Sequence, residues 1–202
     1  MLEKLLLPDT HAIAILIRDH DRVKDLFDRF EREESAAGKE KIIGEALNEL
    51  KIHAAIEEEI FYLAVRRELE KDVMNEADEE HHVARVLIAE LDHTTERNDH
   101  HDAKFTVLSE NVRHHIKEEE DEMLPKAKEV KIDFEALGQR MLDRKERLLS
   151  HGIPVDAEHA MVAKARGKED TPARTAARTK KAPATRKAAV KRTTKARGRG
   201  SR

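Results

Sequence analysis

The sequence predicts an all-α protein: an up-down-up-down four-helix bundle, an additional C-terminal helix and a disordered basic tail. Three observations predict it. Apolar residues recur at three- and four-residue spacing in four successive long segments, the period of helices with one buried face. The connections between these segments are short, which makes neighbouring helices antiparallel. The composition is helical in character, with 40% charged residues, 3% aromatic residues and abundant Ala, Leu and Glu.

The first helix is predicted over residues 10–34. Pro8-Asp9-Thr10 offers its cap, and Ile13, Leu16, Ile17, His20, Val23, Phe27 and Phe30 form its inner face. Ser35-Ala36-Ala37-Gly38 breaks the pattern. A second helix over 39–70 places Ile43, Ala46, Leu50, His53, Glu57, Ile60, Phe61 and Ala64 on one side. Asn75 caps a third, to residue 97, with Ala77, His81, Ala84, Ile88 and Leu91 inward. Asn98-Asp99-His100-His101-Asp102 reads as a polar turn and cap. The fourth helix then covers 103–129, with Phe105, Leu108, Val112, His115, Glu119 and Met123 aligned and Pro125 near its end as a kink or stop. Asp133 caps the additional helix, 133–150, whose apolar side is Leu137, Met141 and Leu148; Gly152 and Pro154 end regular structure. The predicted organisation is a domain over 1–151, with its bundle at 9–130, and a tail over 152–202.

Composition excludes several chemistries. The absence of Cys rules out disulfides, thiolate metal sites and cysteine nucleophiles. No apolar run approaches the roughly 18 residues of a membrane span, and no membrane partner is expected. The apolar part of Met1-Leu2-Glu3-Lys4-Leu5-Leu6-Leu7-Pro8 is too short for a secretion signal, so a cytoplasmic location is expected. The net charge of −3 hides an asymmetry: residues 161–202 carry 15 Lys and Arg against Glu169 and Asp170, or +13, leaving −16 on the rest.

The inward faces carry histidines and carboxylates among the apolar residues, where an ionisable group is costly unless paired or metal-bound. His115 and Glu119 are four residues apart and so share a helical face. His53 and Glu57 repeat that pair. The two halves align: Asp19-His20 with Glu80-His81 at an offset of 61, and His53-Ala54-Ala55-Ile56-Glu57-Glu58 with His115-Ile116-Lys117-Glu118-Glu119-Glu120 at 62. Each helix pair thus supplies one His from its first helix and a His-x-x-x-Glu pair from its second. Four imidazoles and two carboxylates suit two metal ions, each with two histidines and bridged by the carboxylates. Without thiolate, this set suits iron or manganese, and zinc less specifically. A lone His on an apolar face is more often a hydrogen-bonded core residue; the matched, duplicated set argues against that here. His82, His93, His100, His101, His114 and His151 take the ordinary structural reading, and His11 lies off the His20 face. His82 and His114 stand one residue from inward histidines, about 100° around the helix. Glu58, Glu59, Glu118 and Glu120 face solvent or accept hydrogen bonds from the histidines.

These motifs resemble the hemerythrin-like family, also called the HHE cation-binding domain. The matching pieces are Asp19-His20 with Val23 and Leu26-Phe27; His53-x-x-x-Glu57-Glu58 before Phe61-Tyr62; Glu80-His81 before Leu87-Ile88-Ala89-Glu90-Leu91; and His115-x-x-x-Glu119-Glu120 before Met123-Leu124-Pro125. Leu137-Gly138-Gln139-Arg140-Met141 resembles the extra helix after many bacterial members. The resemblance implies two non-haem iron ions per chain with an oxo or hydroxo bridge, His20 and His53 binding one, His81 and His115 the other, and Glu57 and Glu119 bridging. Oxygen carriers of the family have a fifth histidine four residues after the third-helix histidine, where this chain has Arg85. They also have His-x-x-x-x-Asp where this chain has His115-x-x-x-Glu119. Both departures argue against reversible transport and for reactivity or sensing at an open position. Tyr62 reads as an ordinary packed tyrosine, with an outer-sphere phenol as the alternative, and Leu63 stands where many members have Pro.

The tail is rich in Ala, Lys, Arg, Thr and Pro and too poor in large apolar residues for a packed core. It resembles the Lys/Ala/Pro-rich arms of linker histones and some bacterial nucleoid proteins. Arg174, Arg178, Lys180, Lys181, Arg186, Lys187, Lys191, Arg192, Lys195 and Arg197 are its candidate phosphate contacts, giving salt-sensitive, sequence-independent DNA binding and association with the nucleoid. A solubilising tail is the simpler alternative. The functional expectation is a di-iron protein that binds or responds to oxygen, peroxide or nitric oxide, held near DNA by its tail. A peroxide-disproportionating enzyme and a nucleoid-associated protein with structural or stored metal are the alternatives.

Overall fold

The computed structural model describes residues 7–94 and 99–169. Its elements are α1 (Ala12–Arg32), α2 (Ala36–Ile56), a π-helical turn (Glu57–Phe61), α3 (Tyr62–Val65), α4 (Lys71–Asp92), α5 (Asp99–Glu118), a second π-helical turn (Glu119–Met123), α6 (Leu124–Lys128), α7 (Phe134–His151) and α8 (Ala157–Glu169). α1 pairs with α2 and α4 with α5 as the two antiparallel hairpins of the bundle; α7 lies against α1 and α2, and α8 against α4. The fold is the expected all-α bundle with an added helix.

The ends differ from expectation in informative ways. His11, not Thr10 or Asp9, occupies the N-cap of α1, without a side-chain cap bond; Asp9 instead pairs with Arg18 at 2.9 Å. Ser35 caps α2 by accepting from the Gly38 amide, so Ala36–Gly38 opens this helix rather than separating it from α1. α4 begins at Lys71, four residues before Asn75, which is exposed within the helix. α5 begins at Asp99, so His100–Asp102 belongs to its first turn. The long second and fourth helices are each interrupted. The Tyr62 amide donates to the Glu57 carbonyl and the Leu124 amide to the Glu119 carbonyl, both five residues back. Each π turn therefore starts on an inward carboxylate, and inserted turns of this kind concentrate at functional sites. The second precedes Pro125, which opens α6 instead of ending the helix.

The tail expected from residue 152 does not begin there. α8 occupies 157–169, with Val162 and Glu158 buried. Its Ala, Met, Lys, Arg and Glu are strong helix formers, and it docks largely through polar contacts, which an apolar-periodicity reading passes over.

Two apolar clusters fill the bundle. One gathers Leu16, Ile52, Ile56, Phe61, Met74 and Met123 with Phe134, Leu137, Met141 and Leu148 of α7. The other gathers Val23, Phe27, Phe30, Leu50, Ile88, Phe105, Leu108 and Val112. His20, His53, His81 and His115, one on each long helix, lie at or beside the junction of the two clusters in sequence and form a polar layer across the apolar core. No helix among the described residues is long and apolar enough to cross a membrane.

Candidate metal centre

The bundle brings His20, His53, Glu57, His81, His115 and Glu119 into that layer, all at most 7% exposed. One donor atom each from His20, His53, Glu57 and Glu119 lies within 4.8 Å of the others, and so does one each from Glu57, His81 and His115. Glu57 belongs to both groups. Its Oε2 is 3.1 Å from His53 Nε2 and 3.4 Å from His81 Nε2. Oε2 of Glu119 is 3.2 Å from His20 Nε2 and 3.8 Å from His115 Nε2. The rings pair as the duplicated sequence pairs them, with centroids 4.9 Å apart for His20 and His53 and 4.6 Å for His81 and His115.

Each histidine has a carboxylate behind it. Glu120 Oε1 lies 3.1 Å from His20 Nδ1, Glu58 Oε1 2.7 Å from His81 Nδ1 and Glu80 Oε2 2.8 Å from His115 Nδ1. Asp19 Oδ2 stands 3.8 Å from His53 Nδ1, an ion-pair separation rather than a hydrogen bond. A carboxylate at Nδ1 fixes the proton on that nitrogen and leaves the Nε2 lone pair facing inward, the tautomer a metal-binding imidazole needs. The pattern is two-fold: residues before the first-helix histidines serve the second-helix histidines, and residues after the inward glutamates serve the first-helix histidines of the opposite half.

Sequence reasoning offered Glu58 and Glu120 as acceptors or surface residues, and the structure makes them acceptors. Glu59 instead pairs with Arg144 of α7 and Glu118 with His114. Asp19 and Glu80 were missed in this role; their signal was their matched place before His20 and His81. Tyr62 departs from its ordinary packed reading. Its fully buried hydroxyl donates to Glu119 Oε1 at 3.1 Å and lies 3.4 Å from His81 Nε2. Arg85 bonds Glu58 and reaches Glu158 of α8 at 3.4 Å. It also lines, with the four histidines and apolar residues such as Val23, Leu50 and Ile88, a cavity of about 30 Å³. The ten candidate phosphate contacts, Arg174 to Arg197, lie outside the described residues.

The donor set fits a cation. His20 Nε2, His53 Nε2, both oxygens of Glu57 and Oε2 of Glu119 are buried without a hydrogen-bond partner. Buried polar atoms rarely stay so, and here they converge. The electrostatics agree. Burial favours the neutral His81 ring, but Glu57 and Glu58 outweigh it and raise the ring to about 9. Burial likewise opposes the Glu57 charge, and His53 and His81 still hold it well below the carboxylate range. The His20 hydrogen bond, aided by Lys24, brings Glu120 to about 2 against the opposing effect of burial. A proton held on an inward nitrogen would have to leave as a divalent cation binds, the usual linkage between metal binding and proton release.

The model of the hemerythrin HHE cation binding domain matches residues 11–127. A crystal structure of a hemerythrin HHE cation binding domain-containing protein from Mycobacterium kansasii is similar in fold. It has a TM-score of 0.59 and 24% identity, and the match covers 78% of this chain and 93% of that one. Among curated proteins no sequence matches.

Proposed function

The chain belongs to the hemerythrin HHE cation-binding family, and from that membership we propose that its bundle holds two non-haem iron ions. His20 and His53 would hold one and His81 and His115 the other, with Glu57 and Glu119 as the shared carboxylates; the centre would bind or respond to oxygen, peroxide or nitric oxide. Manganese or zinc fits the same donors less specifically. The observation that carries the reading is the convergence of two buried donor groups sharing Glu57. An iron pair supplies redox electrons and Lewis acidity toward a small oxidant or nitric oxide.

The chain's own residues do the rest. The outer carboxylates orient the imidazoles, and the flanking apolar clusters exclude bulk water. Arg85 cannot replace an imidazole, because a guanidinium has no acceptor lone pair to offer, and its bonds to Glu58 and Glu158 hold it at the cavity wall. That supports a reactive or sensing centre over reversible transport.

The deciding experiment is metal analysis with an optical spectrum of protein purified without oxygen, then exposed to oxygen, peroxide and nitric oxide. Two irons per chain and oxo-bridge absorption are expected. Protein without iron would overturn the reading, and a stable, fully reversible oxygen adduct would overturn the preference for reactivity.

The buried Tyr62 hydroxyl favours a second reading, peroxide disproportionation, in which one peroxide is reduced to water while another is oxidised to oxygen. It places a proton donor against Glu119. Steady oxygen release from peroxide, lost in His53→Ala and lowered in Tyr62→Phe, would select this reading. The tail is assigned to non-specific DNA on the strength of its charge, which makes the protein a di-iron protein held near the nucleoid.

A further inference from the structure

The four carboxylates behind the histidines are not equivalent. Asp19 accepts from Lys145 at 2.5 Å, Glu120 from Lys24 at 3.0 Å and Glu58 from Arg85. Among the described residues Glu80 has no Lys or Arg partner. Its Oε2 serves His115, and its Oε1 lies 3.8 Å from Nε2 of His114, which is 3.1 Å from Glu118 Oε1. Glu80, His114 and Glu118 each offer a donor atom within 4.8 Å of the other two. The side chains of His114 and Glu118 are 62% and 38% exposed, so this cluster sits at the surface, one residue from an inward histidine.

The cluster borders a cleft of about 60 Å³ walled by Glu76, Glu80, Glu118, Glu119 and Glu122, with His115 at its inner side and no Lys or Arg in its described lining. Glu119 is 1% exposed, and its Oε2 has no hydrogen-bond partner. The cleft therefore runs from solvent-facing carboxylates to an inward one. The internal repeat makes the asymmetry specific. At an offset of 62, the places of His114 and Glu118 are taken in the first half by Ile52 and Ile56. Both are buried in the apolar cluster that α7 completes. One face is sealed by apolar residues; its counterpart is open and acidic.

We propose that Glu80, His114 and Glu118 form a transit site for a divalent cation, and that the acidic cleft passes the ion to His115 and Glu119. The inference rests on the metal-centre reading above and adds a route to it. Carboxylate and imidazole are ligands for divalent manganese, iron and cobalt. A cleft lined by one sign of charge concentrates counter-ions and accelerates their association.

The test uses full-length protein stripped of metal and mixed with cobalt(II) in a stopped-flow spectrometer. Two double variants, His114→Ala with Glu118→Gln and Glu118→Gln with Glu122→Gln, should load about tenfold more slowly than wild type. Final cobalt content should not change, and Glu34→Gln, an exposed carboxylate in the α1–α2 connection, should load at the wild-type rate. Wild-type loading rates in both double variants would overturn the transit role while leaving the inner centre standing. Substoichiometric manganese(II) supplies an independent readout. In protein whose inner centre is filled beforehand with diamagnetic zinc(II), it should broaden the His114 ring resonances more strongly in wild type than in Glu118→Gln; equal broadening in the two overturns the site. If wild-type protein takes up no cobalt while manganese still broadens His114, the metal-centre reading fails and takes the transit role with it.

Discussion

Tyr62 shows how much one buried hydroxyl can carry. Burial pushes its pKa well above the ordinary tyrosine value, with the Glu119 and Glu57 charges adding to the effect, so the phenol stays protonated and remains a donor. Glu119 is 1% exposed and has one oxygen without a hydrogen bond, so the phenol is its principal neutral stabiliser. Tyr62→Phe keeps the ring and removes only that donor. A hydrogen bond to a charged group contributes about 1.5–3 kcal/mol, and a loss of that order is expected in urea unfolding of metal-free protein. With metal bound, the cation compensates Glu119 directly, and the loss should shrink. Equal stability of Tyr62→Phe and wild type in the metal-free state would show that the hydroxyl does not support Glu119. Arg85 acts at the same scale, but outward. It ties Glu58, the acceptor for His81, to Glu158 on α8, so a residue beyond the bundle bears on the orientation of an inward imidazole.

At the scale of elements, α7 and α8 are attached by different physics. α7 is an apolar lid whose approach depends on Gly138: a Cβ there would fall 1.8 Å from the Thr10 carbonyl oxygen and 2.8 Å from the Ala12 amide. Both are backbone atoms at the start of α1 and cannot rotate away. Gly138→Ala should force the two helices apart at a cost of about 1–3 kcal/mol, read as a lower thermal midpoint, even though alanine favours helix in isolation. An unchanged midpoint would mean that α7 can shift freely. α8 is held by charge. His159 lies 2.9 Å from Asp92 and 2.7 Å from Asp156. Burial favours its neutral ring, but those two carboxylates outweigh burial and raise its pKa. Its contribution is therefore full below about 6.5 and lost as pH rises through the folded value. Glu158 and Asp92 are lowered. Burial opposes their charges, but His82 and Arg85 outweigh it at Glu158, as Lys51 and His159 do at Asp92. Their contribution is full above the ordinary carboxylate values and lost as pH falls through the folded ones. Amide protection factors of residues 160–165 should thus be highest between about pH 4.5 and 6.5 and decline on both sides. Glu158→Gln should flatten the acid side and lower protection throughout. Protection independent of pH would show that Val162 packing, not charge, docks the helix. These elements also mark the limit of what the sequence discloses. The four long helices and the six inward donors were legible because apolar and ligand residues recur at helical spacing and the ligands repeat at a fixed offset. The π turns were not, because one extra residue in a turn leaves the His53–Glu57 and His115–Glu119 spacings intact. α8 was not, because its contacts are polar and its composition continues into that of the tail. Tyr62 was not, because nothing in its neighbours shows which way a ring after a π turn will point.

For the whole molecule, the decisive feature is its division of charge. Residues 170–202 hold 12 Lys and Arg and one acid, Asp170, so the net −3 leaves −14 on residues 1–169. An acidic body repels DNA, and a basic segment attracts it. Each phosphate neutralised releases counterions and steepens the fall of log affinity with log salt by about 0.9. The docking of α8 decides where the comparison must be cut. A chain ending at 155 would lose Glu158, and with it a partner of Arg85, so a change in DNA binding would be confounded with a change beside the metal site. Ending at 169 keeps α8 whole and removes only the basic segment. Full-length protein should bind duplexes of unrelated sequence equally and lose affinity steeply with salt, whereas 1–169 should show no binding at the same concentrations. Metal content and optical spectrum should be the same in both. Equal, salt-insensitive binding by the two forms would place DNA recognition on the bundle, where the −14 charge makes it hardest to sustain. Loss of metal on truncation at 169 would instead show that the basic segment folds back on the acidic body, making the charge division an internal contact rather than a means of holding DNA.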